Sequence, residues 1–346
     1  MSHIVSFNTF ADLAVEKRKI KAEFFAQLDK IVDWTKVSRE IKKYYIKGLS
    51  ADGRPSYDGI LLFKITLLQT WYGLSDYEVE DSVNDRISFS RFVGLSLEDT
   101  CPDHSVISRF RKEMTQRNGY DKILKFINDQ LEKHNIIVKQ GVLVDASITD
   151  SPRKPRGKKE FEVIESENQD TKLNEIKLIE KQQSHVDKDA KWIIKNKKLR
   201  FGYKKHFVTD DNGTVIGVHT TAANVNEVSN LEEVLDKCDI AKGTKVKADK
   251  GYKSQKNDEL LETKGLRNHI MHKAKKNKLL TNNELKFNKL VGKIRYKIER
   301  TFGSIAKWFQ TGKARYVGLA KTHSQHVLEA IAYNLYRSPG LIMSKS

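Results

Sequence analysis

The sequence predicts an α/β protein, a mixed sheet flanked by helices and preceded by an all-helical N-terminal domain. Three observations carry that expectation. Apolar residues in the first part of the chain recur at helical intervals. Strand-like runs begin only at Gly141. Those runs come first as a hairpin and then alternate with helices, an order that suits a mixed sheet covered by helices. At 346 residues the chain has room for two or three cores. The expected division is a helical domain over 1–135 and an α/β domain over 136–346, with a polar loop at about 152–189.

Taken in order, Phe24, Phe25, Leu28, Ile31 and Val32, running on to Trp34, space as one helix face. Gly53-Arg-Pro-Ser-Tyr57 punctuates the chain. Ile60 to Tyr72 is apolar almost all round and is expected to be buried, with Gly73 as its stop. Ser75 and Glu78 form a capping-box signature for the next helix, and Ile87 to Leu95 continues the apolar pattern. Asp103 is placed to cap a helix carrying Val106, Ile107 and Phe110 on one face and Arg109, Arg111 and Lys112 elsewhere. A short helix, a turn marked by Pro102 and a basic helix resemble a helix-turn-helix DNA reader, with a plain bundle face as the alternative.

In the second part, Gly141 to Ile148 reads as a strand. Pro152 to about Asp189 is rich in Lys, Glu, Gln and Asn, opens on the basic run Lys154 to Lys159, and reads as a loop. Phe201–Val208 and Val215–Thr221 read as strands joined by the hairpin signal Asp210-Asp-Asn-Gly213. Val225 to Leu235 is helical, Thr244 to Asp249 is a strand, Gln255 to Thr263 a helix, and Asn268 to Met271 a short strand. Lys273 to Lys278 is a basic loop. Two helices close the chain, Ile294–Phe309 and His326–Tyr336.

Lys and Arg number 63 against 45 Asp and Glu, a formal net charge of +18. Such a balance favours polyanions, nucleic acid before anionic membrane. No apolar run reaches the roughly 18 residues of a spanning helix, and the start shows no secretory pattern, so a cytoplasmic protein is expected. Cys101 and Cys238, the two cysteines, match no metal spacing and read as structural thiols.

Within this basic chain three acids stand apart. Asp145 and Asp249 close apolar strand runs, and the ends of adjacent parallel strands are where open α/β sheets place their sites. Glu299 borders the stripe Ile298, Phe302, Ile305 and Phe309, so it can lean over the sheet edge. Arg295 lies one turn before it, and an i,i+4 ion pair is the plain alternative. Three carboxylates from two strands and a helix suit Mg²⁺ or Mn²⁺. Two such ions about 3.5–4 Å apart support in-line displacement at phosphorus. No covalent nucleophile, phosphate-cradling glycine loop or dinucleotide fingerprint is visible.

These residues resemble a known family. Val-Asp145-Ala-Ser, Asp187 to Trp192, Gly202-Tyr-Lys-Lys-His206, Thr221-Ala-Ala-Asn224, Ala-Asp249-Lys-Gly-Tyr252, Arg295-x-x-x-Glu299-Arg-x-Phe-Gly303 and His326 to Leu335 follow one another as the blocks of bacterial insertion-sequence transposases of the DDE type. The group is often called IS-five, and its catalytic core is ribonuclease-H-like. The resemblance covers roughly residues 20–337. It implies that Asp145, Asp249 and Glu299 are catalytic and bind two Mg²⁺ or Mn²⁺ ions, and that Arg295 contacts DNA phosphate. It also implies binding to terminal inverted repeats and target DNA, metal-dependent cleavage and strand transfer, and a homodimer in the active complex. The signature's Tyr and Lys are replaced by Gly292 and Ala306, with Lys307 one residue later as the substitute. Further DNA contacts are expected from Lys204, Lys205, His206, Arg109 and Arg111, and from Lys154, Arg156, Lys275 and Lys276 as a group. A catalytically silent DNA-binding repressor and a stand-alone nuclease of the same fold are the alternatives.

Overall fold

The computed structural model describes residues 19–46, 56–96, 98–157, 161–167, 174–180, 183–274 and 279–343. Among the described residues seven helices come first: α1 (Lys19–Ile31), α2 (Trp34–Ile41), α3 (Gly59–Tyr72), α4 (Asp76–Asp85), α5 (Ile87–Val93), α6 (His104–Gln116) and α7 (Gly119–Lys133). Their limits follow local chemistry. Asp33 accepts from Lys36 N and starts α2, so the apolar pattern expected to run on to Trp34 is two helices. Ser75 and Glu78 cap α4 reciprocally. Gly73 ends α3 at φ +68°, a conformation a β-carbon disfavours. The all-round apolar α3 is the buried centre of this layer: Leu62, Phe63, Ile65, Leu67 and Leu68 are fully covered.

The strands are β1 (Gly141–Asp150), β2 (Phe161–Glu167), β3 (Asn174–Glu180), β4 (Lys191–Lys195), β5 (Lys198–Asp210), β6 (Val215–Ala222), β7 (Lys245–Ala248) and β8 (Arg267–Ile270). Between and after them lie α8 (Leu231–Leu235), α9 (Gln255–Thr263), α10 (Asn282–Phe309) and α11 (Leu319–Met343). β1 is antiparallel to β5 on one side and parallel to β7 on the other, and β7 is parallel to β8. The far edge of β5 is shared, β4 pairing with its first residues and β6 with the rest. The expected mixed, helix-flanked sheet behind a helical region is therefore present.

Three local expectations change. The segment 152–189 holds a two-stranded hairpin, β2 against β3 from Phe161↔Glu180 to Glu167↔Asn174. Its polar average conceals the strand-favouring Val163, Ile164, Ile176 and Ile179. α10 begins twelve residues before Ile294, because Thr281 and Glu284 form a second capping box. β1 does not end at Asp145 but runs on to Asp150, held by β5. The Gly53-Arg-Pro motif, Lys275 and Lys276 lie outside the described residues.

Helices and sheet share one core. Buried residues from Phe25 on α1 to Leu335 on α11 form a single apolar cluster that takes in Val142, Val144, Val246 and Ala248 of the sheet. α11 threads it: Trp71 of α3 donates to Ala332 O, and Asn334 bonds both Asn128 of α7 and Val215 of β6. Cys101 is buried in this core, and burial pushes its thiol up to about 12, which fits an inert structural role. Among the described residues no helix is long and apolar enough to cross a membrane.

Candidate active site

The sheet register sets the first two acids side by side. Parallel pairing of β1 with β7 ends at Val144↔Ala248. The next residues are Asp145 and Asp249. β7 stops there and turns into a short helical turn that Asp249 caps through Lys250 N, while β1 continues along β5. Asp145 thus lies within its strand yet at the end of the parallel pairing. The strand-end logic holds for the pair even though it fails for β1 alone.

α10 brings the third acid. Ile298, Ile305 and Phe309 are buried in the shared core, and Phe302 stacks on Phe207 of β5 at 4.9 Å between ring centroids. Phe207 is the register partner of Asp145. The apolar stripe therefore seats α10 directly over the Asp145 side of the sheet, and Arg295 and Glu299 reach toward it. Glu299 itself remains largely open to solvent.

Arg295 occupies the centre of the group. Its Nη2 donates to Asp145 Oδ2 at 2.7 Å, its Nη1 lies 3.3 Å from Asp249 Oδ1, and Nη2 lies 3.7 Å from Glu299 Oε1. Burial works against its charge. The surrounding carboxylates, Asp145 first, outweigh burial and raise the guanidinium pKa above its ordinary value. Its Nε is buried and makes no hydrogen bond, a lapse that costs about 1–3 kcal/mol for a buried donor. The i,i+4 pair foreseen between Arg295 and Glu299 exists, but its 3.7 Å contact is the longest of the three.

The donor chemistry fits a divalent cation of the magnesium or manganese kind: three carboxylates converge from adjacent elements. Among the described residues no such trio stands close enough to grip an ion as placed. The guanidinium fills the space between the acids.

A buried layer lies beneath the acids, and it corrects three expected DNA contacts. β5 is covered on both faces, so Lys204, Lys205 and His206 are all buried although they are consecutive. Lys204 donates to Val225 O and pairs with Glu227 at 3.4 Å. Lys205 pairs with the buried Glu329 of α11 at 2.9 Å. His206 bonds Tyr252 and Thr221. None of the three faces solvent, where DNA would lie. Arg111 is also turned inward, bonding Asp76 through both terminal nitrogens at 2.6 and 2.9 Å. Arg109 and Lys307 are exposed, as are Lys154 and Arg156. Gly292 faces open space, so a larger side chain would fit there. Two neighbours of the acids were not singled out from the sequence, Glu227 and the buried Tyr252. Glu227 stands three residues after the Thr221–Asn224 block and Tyr252 closes the Asp249 block, so proximity to those blocks was the available signal.

Two histidines in this layer give the fold a pH dependence. Burial, reinforced by His219 and Lys204, depresses His206 to about 3. Burial, reinforced by Lys205, holds His326 well below the ordinary range, where it bonds Thr220 and Thr149. Both are neutral when folded and protonate near 6.5 when unfolded. Their contribution is complete above that pH and is lost as pH falls below it. Urea titrations should show stability dropping by about 1.4 kcal/mol per pH unit for each histidine below pH 6.5. His326→Gln should remove one such increment of slope.

Two aspartates set side by side where the parallel pairing of β1 with β7 stops, under a helix that adds a glutamate, match the arrangement expected of the DDE-type DNA transposases, and the chain belongs to that family. The Transposase DDE domain family matches residues 138–335, and the Transposase domain (DUF772) family matches residues 13–113. Over 232 residues the chain is 34% identical to the transposase for insertion sequence element IS1106 of Neisseria meningitidis serogroup B, spanning 66% of this chain and 76% of that one. It is a bacterial insertion-sequence transposase of the DDE type. A cryo-EM structure of the piggyBac transposase synaptic complex with hairpin DNA overlays 94% of this chain and 75% of its own, with a TM-score of 0.43 and 11% identity, too loosely to carry over any feature.

Proposed function

We propose that this transposase binds the terminal inverted repeats of its insertion sequence, cleaves there and joins the freed 3′ ends to target DNA, with Asp145, Asp249 and Glu299 as its metal-holding carboxylates. The observation that carries the proposal is the convergence of all three acids on one guanidinium from β1, β7 and α10. Mg²⁺ or Mn²⁺, with two ions expected, would supply charge neutralisation at the phosphate and a more acidic attacking hydroxyl. The chain's own part is to hold the acids at one point. The β1–β7 register fixes two of them, and the packing of Phe302 and Ile305 fixes the helix that bears the third.

Double-stranded DNA is the proposed partner, in the nucleoid, and two protomers would bring two ends together. The exposed Arg109 on α6 and Lys307 on α10 are the candidate contacts, with Lys154 and Arg156. Residues 1–135 would serve mainly in reading DNA and 136–346 in cutting it. Phosphate contacts release counterions, so binding should weaken steeply with salt.

One assay separates this from its alternatives. End-labelled duplex carrying the element's terminal repeat is incubated with the protein, Mg²⁺ and a target plasmid. A transposase yields nicked and joined products. Nicked product alone would indicate a nuclease, and bound but intact DNA would indicate a silent repressor.

A further inference from the structure

We propose that Arg295 is the resting occupant of the acid cluster, and that a DNA phosphate must draw its guanidinium away before a divalent cation can enter. The proposal rests on the assignment of Asp145, Asp249 and Glu299 as metal-holding residues. Arg295 is then a positioning residue that makes metal loading depend on DNA.

Its two terminal nitrogens reach all three carboxylates, at 2.7, 3.3 and 3.7 Å. A guanidinium is a donor only and cannot ligate a metal. A dication placed among the same oxygens would meet both its bulk and its positive charge. Occupation by Arg295 and occupation by a metal therefore exclude each other. Without some cation the three acids would face one another unscreened, so Arg295 also keeps the cluster assembled while no metal is bound.

The hold is firm at one contact only. Asp145 is bonded at 2.7 Å, the other two acids stand farther off, and Nε has no partner. Arg295 enters from α10, whose Glu299 side is open to solvent. A phosphate arriving there offers the same planar fork two charged acceptors at once. Once the fork turns to that phosphate, the carboxylates are left to the cation. Linkage then requires reciprocity: DNA raises metal affinity, and metal raises DNA affinity by the same factor.

The test measures Mn²⁺ binding, by loss of the free-ion electron paramagnetic resonance signal, on the full-length protein. Wild type, Arg295→Ala, Arg295→Met and Asp249→Asn are titrated with and without a short duplex of the element's terminal sequence. Arg295→Met keeps the stem and volume should the alanine variant fail to fold. Without DNA, the Arg295 variants should bind Mn²⁺ about tenfold or more tightly than wild type. Duplex should raise wild-type affinity by a similar factor and leave the variants unchanged. Equal DNA-free affinity in wild type and Arg295 variants, abolished in each by adding Asp249→Asn, would overturn the proposal and leave the carboxylate assignment standing. Mn²⁺ binding absent from every form, or indifferent to Asp249→Asn, would remove the metal assignment and the proposal together.

Discussion

Asp145→Asn and Asp249→Asn should each lower strand cleavage by about a thousandfold or more, the scale of loss when a preorganised charge at the reacting centre is removed. Asparagine keeps the shape of the side chain and removes its charge. Asp145 and Asp249 directly follow the last pair of the β1–β7 register, so the sheet fixes where each carboxylate stands. The fold should tolerate the change, since the apolar register around it is untouched. The measurement is single-turnover cleavage of labelled duplex, with thermal melting as the folding control. Asp258→Asn, which touches Lys253 beside α9, serves as the comparison acid and should stay within about twofold of wild type. Cleavage by Asp249→Asn at the Asp258→Asn rate would withdraw Asp249 from the site.

The second large effect is on stability. Lys205→Met should destabilise the protein by about 3–5 kcal/mol, because it strands Glu329 as a buried charge. The pair is almost wholly covered, and beyond Lys205 the Glu329 carboxylate has Gln325 at 2.8 Å as its hydrogen-bond donor. The double change Lys205→Met with Glu329→Leu should recover most of the loss, since a well-packed apolar pair is often no worse than a buried ion pair. Urea unfolding of the three proteins decides the matter. A loss below about 1 kcal/mol in the single variant would mean that Glu329 is not left there as an uncompensated buried charge.

These two effects mark how far the sequence could be read. Asp249 was legible because Thr244–Ala248 alternates Lys245 and Lys247 with Val246 and Ala248, a strand period that stops at the acid. Asp145 was legible as an acid of the site but not as a mid-strand residue. β1 outlasts β7 because β5, its antiparallel partner, is long, and the length of a partner strand is not written in β1 itself. The face of α10 followed from a stripe at helical spacing. Lys204-Lys-His206 was misread as a DNA contact because three polar residues in a strand look solvated. Their partners Val225, Glu227, Glu329 and Tyr252 come from elsewhere in the chain, and periodicity within β5 cannot reveal them. The hairpin at 161–180 was hidden by composition. The position of Arg295 among the acids was out of reach, since i,i+4 spacing predicts its contact with Glu299, the longest of the three it makes.

The closing helix α11 has a consequence for how the protein is made. It packs against α3 and α7 through Trp71 and Asn128, and against the sheet through Val215 and Lys205. It is synthesised after both of the layers it joins. While it is still inside the ribosome, Trp71 lacks its acceptor, Lys205 lacks its counter-charge and the apolar faces of both layers are uncovered. Neither layer is complete on the nascent chain, and a frameshift or premature stop anywhere before Leu319 would remove the piece that closes both.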